Sequence, residues 1–352
     1  MKIVLVIKYL GSKRTLVPLL TKLLEASGAR TGLDLFTGTT RVAQVMKTLG
    51  MHVTSLDSAS YSKVFGDTWI ALDSESANHS ELTDAISHLN SLKPTAGYFT
   101  QSFCIDSRYF QPFNGERVDA VREAIASDYF GTWLEAPLLA SLILAADRVD
   151  STTGVQMAYL KNWSHRSKHP LELKDPVLLA GRGVAVQGDA LELTASLPNV
   201  DIAYIDPPYN QHRYFGNYHV WESLVRWDKP ETYGIANKRL DVRGQEFRSA
   251  FNSRPTMPAA IAKTLGDVNA ETIILSYNNE SWLNRDELIE ICSKRGHVEV
   301  LDIDSKRYIG SQIGIYNKTG ARVGEPGAKR NLEHLVLAGP KRILAKMIDS
   351  VA

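Results

Sequence analysis

Seven short apolar runs set what this chain can become. They are "TGLDLF" (31–36), "HVTSLD" (52–57), "GVAVQGD" (183–189), "DIAYID" (201–206), "ETIILSY" (271–277), "HVEVLDI" (297–303) and "EHLVLAG" (333–339). Each has strand length and β-branched content, and several close on an acid. Helix-patterned stretches follow several of them: "TTRVAQVMKTLG", "ALELTASLP", and "NRDELIEICSKRG", in which Asn284 and Glu287 resemble a helix start. Strands alternating with helices predict an α/β fold with a doubly wound, mostly parallel, seven-stranded sheet. The last two runs lack a convincing helix between them, which predicts an antiparallel hairpin at one edge.

Residues 73–180 break the alternation. They hold helical patterns, "NGERVDAVREAIASDYF" and "EAPLLASLILAADRVD", but no clear strand. This predicts a catalytic domain made of residues 1–72 and 181–345, interrupted by a mostly helical insertion at 73–180. A second long segment, 211–260, is rich in arginine and aromatic residues. The formal net charge of +1 excludes a polybasic protein, so any nucleic-acid surface must be local. Two distant cysteines, Cys104 and Cys292, imply neither a disulfide framework nor a cysteine zinc site, and no metal is expected. The opening apolar run of five residues before Lys8 is too short for a signal segment, and no later run spans a membrane. A cytoplasmic protein without a membrane partner is the expectation.

Two strand ends carry chemistry. In "DLFTGTTR" (34–41) an acid inside a strand precedes a glycine turn and a helix start, where backbone N–H groups are free to meet a ligand. Asp57 closes the next strand, where an acid suits ribose hydroxyls. An ordinary strand–helix turn is an equal reading of these residues alone. Thr40 departs from a glycine-rich dinucleotide loop, which disfavours an oxidoreductase. The second strand end is "DIAYIDPPYN" (201–210). Two prolines stiffen the loop and expose carbonyls. A carboxylate and a carbonyl together accept both hydrogens of an exocyclic amine, and Tyr209 offers a ring on which a planar base stacks.

These residues resemble the D12 class of DNA adenine-N6 methyltransferases, the group that includes the Dam-type enzymes. "KYLGSKRTLVPLL" (8–20) is similar to its N-terminal motif, "DLFTGTTRVA" to its S-adenosylmethionine (AdoMet) loop, "QGDA" (187–190) to its G-D motif, and "DPPY" (206–209) to its target-base motif. "NYHVWESL" (217–224) and "IILSYNNESW" (273–282) resemble later segments. The resemblance implies an AdoMet-methyltransferase sheet and direct methyl transfer to N6 of a flipped-out adenine. It implies that Tyr9 and Lys13 line the methionine end of AdoMet, with Lys13 facing its carboxylate. Asp34, Phe36 and Gly38 would form the cofactor loop, Asp57 would bind ribose, and Asp189 would accept from the cofactor's adenine amine. Asp189 also reads as a helix N-cap, and the two roles are compatible. Asp206, Pro207, Pro208 and Tyr209 would form the catalytic set.

The implied partner is double-stranded DNA, with a cognate restriction endonuclease as a possible companion and a bacterial, archaeal or phage origin. Candidate DNA contacts are Lys161, Arg166 and Lys168 in "KNWSHRSKH" (161–169), and Arg213, Arg239 and Arg243 after DPPY. Solvated charged loops explain the same residues, and "NGERVDAVREAI" reads equally as an amphipathic helix packed on the sheet. Cytosine-N4 or RNA-adenine methylation uses the same chemistry with another pocket. A non-catalytic AdoMet-fold nucleic-acid-binding protein is the alternative of a different class.

Overall fold

A computed structural model describes residues 6–208, 214–244, 249–306, 315–316, 322–324 and 330–352. All seven predicted strands form, as β1 (Thr31–Leu35), β2 (His52–Asp57), β3 (Val184–Gln187), β4 (Val200–Ile205), β5 (Ala270–Asn278), β6 (His297–Lys306) and β7 (Arg330–Gly339). They make one sheet in the order β3-β2-β1-β4-β5-β7-β6. The first five strands of that order are parallel. β7 runs antiparallel to both neighbours, Glu333 lying opposite Asn278 of β5 and Ile303 of β6. The expected edge hairpin is therefore present, with its second strand inserted between β5 and the edge strand β6.

The inner strands are buried on both faces, so their sequences are continuous apolar runs rather than alternating ones. One face carries Ile202, Tyr204, Ile274, Leu335 and Leu337. It packs under α1 (Val17–Ser27), α2 (Arg41–Thr48), α3 (Ser60–Gly66) and the helices of 73–180: α4 (His79–Ser91), α5 (Pro112–Asp128) and α6 (Glu135–Val149). The other face carries Ala203, Ile205, Ile273 and Leu275 beneath α8 (Met257–Asp267) and α9 (Arg285–Ser293). α9 opens on a capping box: the Asn284 side chain accepts from the backbone of Glu287, whose carboxylate accepts from the Asn284 N–H at 2.7 Å.

Residues 73–180 contain no strand. Their apolar side chains belong to the same core as Leu20, Phe65 and Trp69, so no separate core marks the segment. α6 is buried nearly all round, and α5 anchors a loop: buried Asp119 accepts from the backbone N–H groups of Gly97, Phe99 and Thr100. α7 (His219–Arg226) follows the DPPY segment, and α10 (Lys341–Asp349) packs beside α1. Two small ribbons, Thr232–Tyr233 with Lys238–Arg239 and Ile315–Tyr316 with Arg322–Gly324, are too short for a strand pattern to announce them. Among the described residues no helix is long and apolar enough to cross a membrane.

The topology places the site. Strand order reverses between β1 and β4, and ligands of open α/β sheets bind outside the carboxyl ends at such a switch point. Leu35 is in register with both Leu56 and Ile205, so the loops that follow β1, β2 and β4 lie side by side.

Candidate active site

The β1–α2 loop is held in an unusual backbone shape by two acids. Phe36, Gly38 and Thr40 have φ of 61°, 52° and 59°, and two of the three are not glycine. At the two non-glycine positions such conformations cost about 1–3 kcal/mol each and persist where the surroundings enforce them. Buried Asp34 accepts from Thr37 Oγ1 at 2.7 Å and from Ala43 N–H at 2.9 Å. Asp57 accepts from Gly38 N–H at 2.8 Å and Ala59 N–H at 2.9 Å. Thr40, the departure from the family pattern, keeps the left-handed backbone a glycine would adopt; its buried hydroxyl donates to Thr39 C=O and accepts from Gln44. Burial pushes the Asp34 carboxyl up to about 7, and burial likewise raises Asp57.

Tyr9 lies over Gly38, where a Cβ would come within 3.0 Å of its ring. The ring stacks on Tyr218 at 4.6 Å and Tyr214 at 5.5 Å, and the Tyr218 hydroxyl accepts from Leu10 N–H at 2.6 Å. Phe36 meets Phe251 edge-on at 4.9 Å. These features fit AdoMet. Gly38 lets the Tyr9 ring lie directly on the loop backbone. Asp57 closes β2 beside this loop, half-buried and tied to the backbone of Gly38 and Ala59. Asp189 is exposed and caps the turn after β3, accepting from Leu191 N–H at 2.7 Å.

Asp206 follows β4 at the same end of the sheet, with Pro207 and Pro208 after it. Its carboxylate is 19% exposed, and Lys13 Nζ stands 3.1 Å from Oδ1. Burial raises its carboxyl to about 6; Lys13 opposes that shift and Glu333 adds to it. The buried Lys13 ammonium faces two protein carboxylates, Asp206 and, at 2.6 Å, Glu333. Tyr209 and Arg213 lie outside the described residues.

The candidate DNA contacts divide. Lys161, Lys168 and Arg243 are exposed, and Arg243 stacks over Tyr233 at 3.9 Å. Arg239 is corrected: it is buried, forking onto Asp228 at 2.7 and 2.6 Å and onto Asp241 at 2.6 Å, so its charge is consumed inside the protein. Arg166 is 36% exposed but already paired. Its guanidinium donates to the Asp150 carboxylate and to the carbonyls of Asp150 and Thr152, and Asp150 also holds Lys8 at 3.1 Å, so it ties the insertion to the N-terminal motif.

Sequence reading missed the Tyr9–Tyr214–Tyr218 stack, which only the fold assembles. It also missed Glu222, which accepts from Ser60 N–H at 3.1 Å, and Glu333. Glu333 left a signal: an acid in phase with Leu335 and Leu337 on a buried strand.

The family model described as "D12 class N6 adenine-specific DNA methyltransferase" matches residues 9–292, and the chain belongs to that family. It is 30% identical over 328 residues to modification methylase StsI of Streptococcus sanguinis, covering 87% of this chain and 49% of that protein. The chain thus spans about half the length of that relative. It is also 30% identical over 285 residues to the type II methyltransferase M.NlaIII of Neisseria lactamica, covering 78% of this chain and 83% of that one. Among solved structures, a precorrin-6y C5,15-methyltransferase of Geobacter metallireducens aligns over 95% of this chain and 94% of its own, at 10% identity and a TM-score of 0.31.

Proposed function

We propose that this chain methylates the N6 amino group of an adenine flipped out of duplex DNA, using AdoMet. The observation that carries the reading is Asp206, a partly exposed carboxylate before two prolines at the switch point, beside the acid-held β1–α2 loop. When bound, AdoMet supplies an electrophilic sulfonium methyl. The loop of Asp34, Phe36 and Gly38, with Tyr9 above it, would hold that ligand, Asp57 taking the ribose and Asp189 the adenine amine. Asp206 and the Pro207 carbonyl accept the two hydrogens of the target amine, which localises its lone pair for attack. Positive charge grows on N6 as it attacks, and Asp206 stabilises that charge. Extracting the base costs roughly a few kcal/mol, and Tyr209 offers a face to receive it. N6 gains the methyl, whose bond to sulfur breaks, and sheds one proton to Asp206 or to solvent; the alkylated amine is strongly acidic, so the work is positioning and electrostatics with no general base of high pKa required.

The exposed Lys161 and Lys168, with Arg108 over the Trp163 ring at 4.7 Å, form a basic aromatic surface on the helical segment that suits phosphate contacts. That segment, 73–180, is the proposed target-recognition element, with the loops of 211–260 closing over the flipped base. Replacing Lys161 and Lys168 by alanine is expected to flatten log K against log salt by about 1.8 if each meets one B-DNA phosphate. Fluorescence anisotropy across a salt series checks this, and an unchanged slope places the DNA elsewhere. A place in a restriction–modification system, beside a cognate nuclease, is the wider proposal.

The test of the reaction is direct. Purified protein is incubated with methyl-labelled AdoMet and mixed-sequence duplex DNA, and the DNA is digested to nucleosides. Label in N6-methyldeoxyadenosine is the expected result. Label in N4-methyldeoxycytidine moves the reading to the cytosine alternative, and unlabelled DNA overturns it.

A further inference from the structure

Glu333 lies beyond the residues the family matches, on the one antiparallel strand of the sheet, yet it reaches the catalytic end. Its Oε1 accepts from Lys13 Nζ at 2.6 Å and from Ser276 Oγ at 2.7 Å. The same ammonium stands 3.1 Å from Asp206 Oδ1. Two buried carboxylates therefore share one cation. Stability alone does not call for this arrangement. A Lys13–Asp206 pair would be neutral, whereas a second acid at a position in phase with Leu335 and Leu337 sets two carboxylates on one ammonium inside the core.

We infer that Glu333 is a positioning residue for methyl transfer: it draws the Lys13 ammonium toward itself and leaves the Asp206 carboxylate available to the target amine. This rests on the amine-holding reading above. An ammonium seated fully on Asp206 would compete with the amine's hydrogens for the same lone pairs and weaken the carboxylate as an acceptor. Glu333 prevents this because it has the shorter contact and a second donor, Ser276, that fixes its orientation.

The groups facing Asp206 are Lys13, Glu333, Tyr204 and Asp34; those facing Glu333 are Lys13, Tyr204 and His334. Burial holds the Tyr204 phenol well above its ordinary range, so it stays neutral. His334 Nδ1 is 2.6 Å from Asp302. The Asp206 charge also helps to raise the Asp34 carboxyl, so Asp206→Asn, which lacks the Asp206 limb, is measured alongside to separate the two.

The test is the pH profile of single-turnover methyl transfer by the full chain, with AdoMet affinity measured separately. Glu333→Gln keeps the shape and an acceptor for Ser276 while removing the charge. It is expected to slow transfer roughly tenfold at neutral pH and to move the acid limb down by about one pH unit, as Lys13 settles on Asp206, with AdoMet affinity unchanged within about threefold. Ser276→Ala, which removes the donor that orients Glu333, is expected to move the limb in the same direction by less, and it carries the test if Glu333→Gln does not fold. Slowing with an unmoved limb in either variant makes Glu333 merely structural and overturns the inference, as does a wild-type profile. Failure of the underlying reading looks different: the wild-type protein itself would leave no N6-methyladenine.

Discussion

Asp206→Ala is expected to lower single-turnover methyl transfer by about 10²–10³ while leaving AdoMet affinity within a few-fold of wild type. In the proposed role the carboxylate acts on the amine and on the charge that develops there, so its loss falls on the chemical step. The proposed cofactor contacts come from other elements: Gly38 and Asp57 are bound to each other across β1 and β2, and Tyr9 is held by Tyr214 and Tyr218. The fold should not suffer either. Burial makes ionised Asp206 costly, and its removal leaves Lys13 paired with Glu333 at 2.6 Å. A denaturation midpoint equal to or above wild type is therefore expected, as where a site keeps a strained charge for function. Calorimetric AdoMet binding, urea unfolding and rapid-quench methylation read the three quantities. Near-normal transfer by this variant removes the amine-holding role.

Arg239→Ala is expected to act on the fold and not on DNA binding. The side chain is 1% exposed and forks onto Asp228 and Asp241, while its backbone lies in the short ribbon beside α7. Removing one member of a fully buried ion pair costs about 3–5 kcal/mol. Asp228 and Asp241 are 33% and 25% exposed, so water recovers part of their loss, and about 2–4 kcal/mol is the expected destabilisation. Arg239→Lys should recover only part, because an ammonium cannot fork onto two carboxylates. Urea unfolding checks the magnitude. Unchanged stability with a shallower salt dependence of DNA binding would return Arg239 to the DNA surface.

Arg239 shows where a sequence stops being legible. An arginine in a polar segment looks the same whether it meets phosphate or two acids brought in by the fold, Asp228 and Asp241. Arg166 and Asp150 repeat the point across a gap of 16 residues. The inner strands β1, β4 and β5, by contrast, were legible because parallel strands buried on both faces write uninterrupted apolar runs, and the acids at strand ends are local text. The insertion of β7 between β5 and β6 was not, since strand order depends on contacts between segments remote in sequence. The same holds for the site. Asp206 and Asp57 were readable from their strand ends, whereas the pairing of Lys13 with Glu333 joins residues 320 positions apart. Thr40 departed from the sequence pattern, yet the fold imposes on it the backbone a glycine would take, φ 59°.

The central claim is that an ionised Asp206 holds the amine during methyl transfer, and the pH dependence of the chemical step tests it most directly. Burial, aided by Glu333 and opposed by Lys13, raises this carboxyl from 3.8 to about 6. Its folded value lies above its unfolded one, so its contribution to stability is present below pH about 4 and lost as pH rises through about 6. Activity runs the other way, because the carboxylate accepts hydrogens only when ionised. Single-turnover methyl transfer from pH 5 to 8, at saturating AdoMet and DNA, should rise tenfold per pH unit below about 6 and then level, with AdoMet affinity followed over the same range to separate any loosening of the Asp34-held loop. The account predicts that limb in the wild type and its absence from the residual rate of Asp206→Asn. A wild-type rate independent of pH across this range, or the same limb in Asp206→Asn, would contradict it.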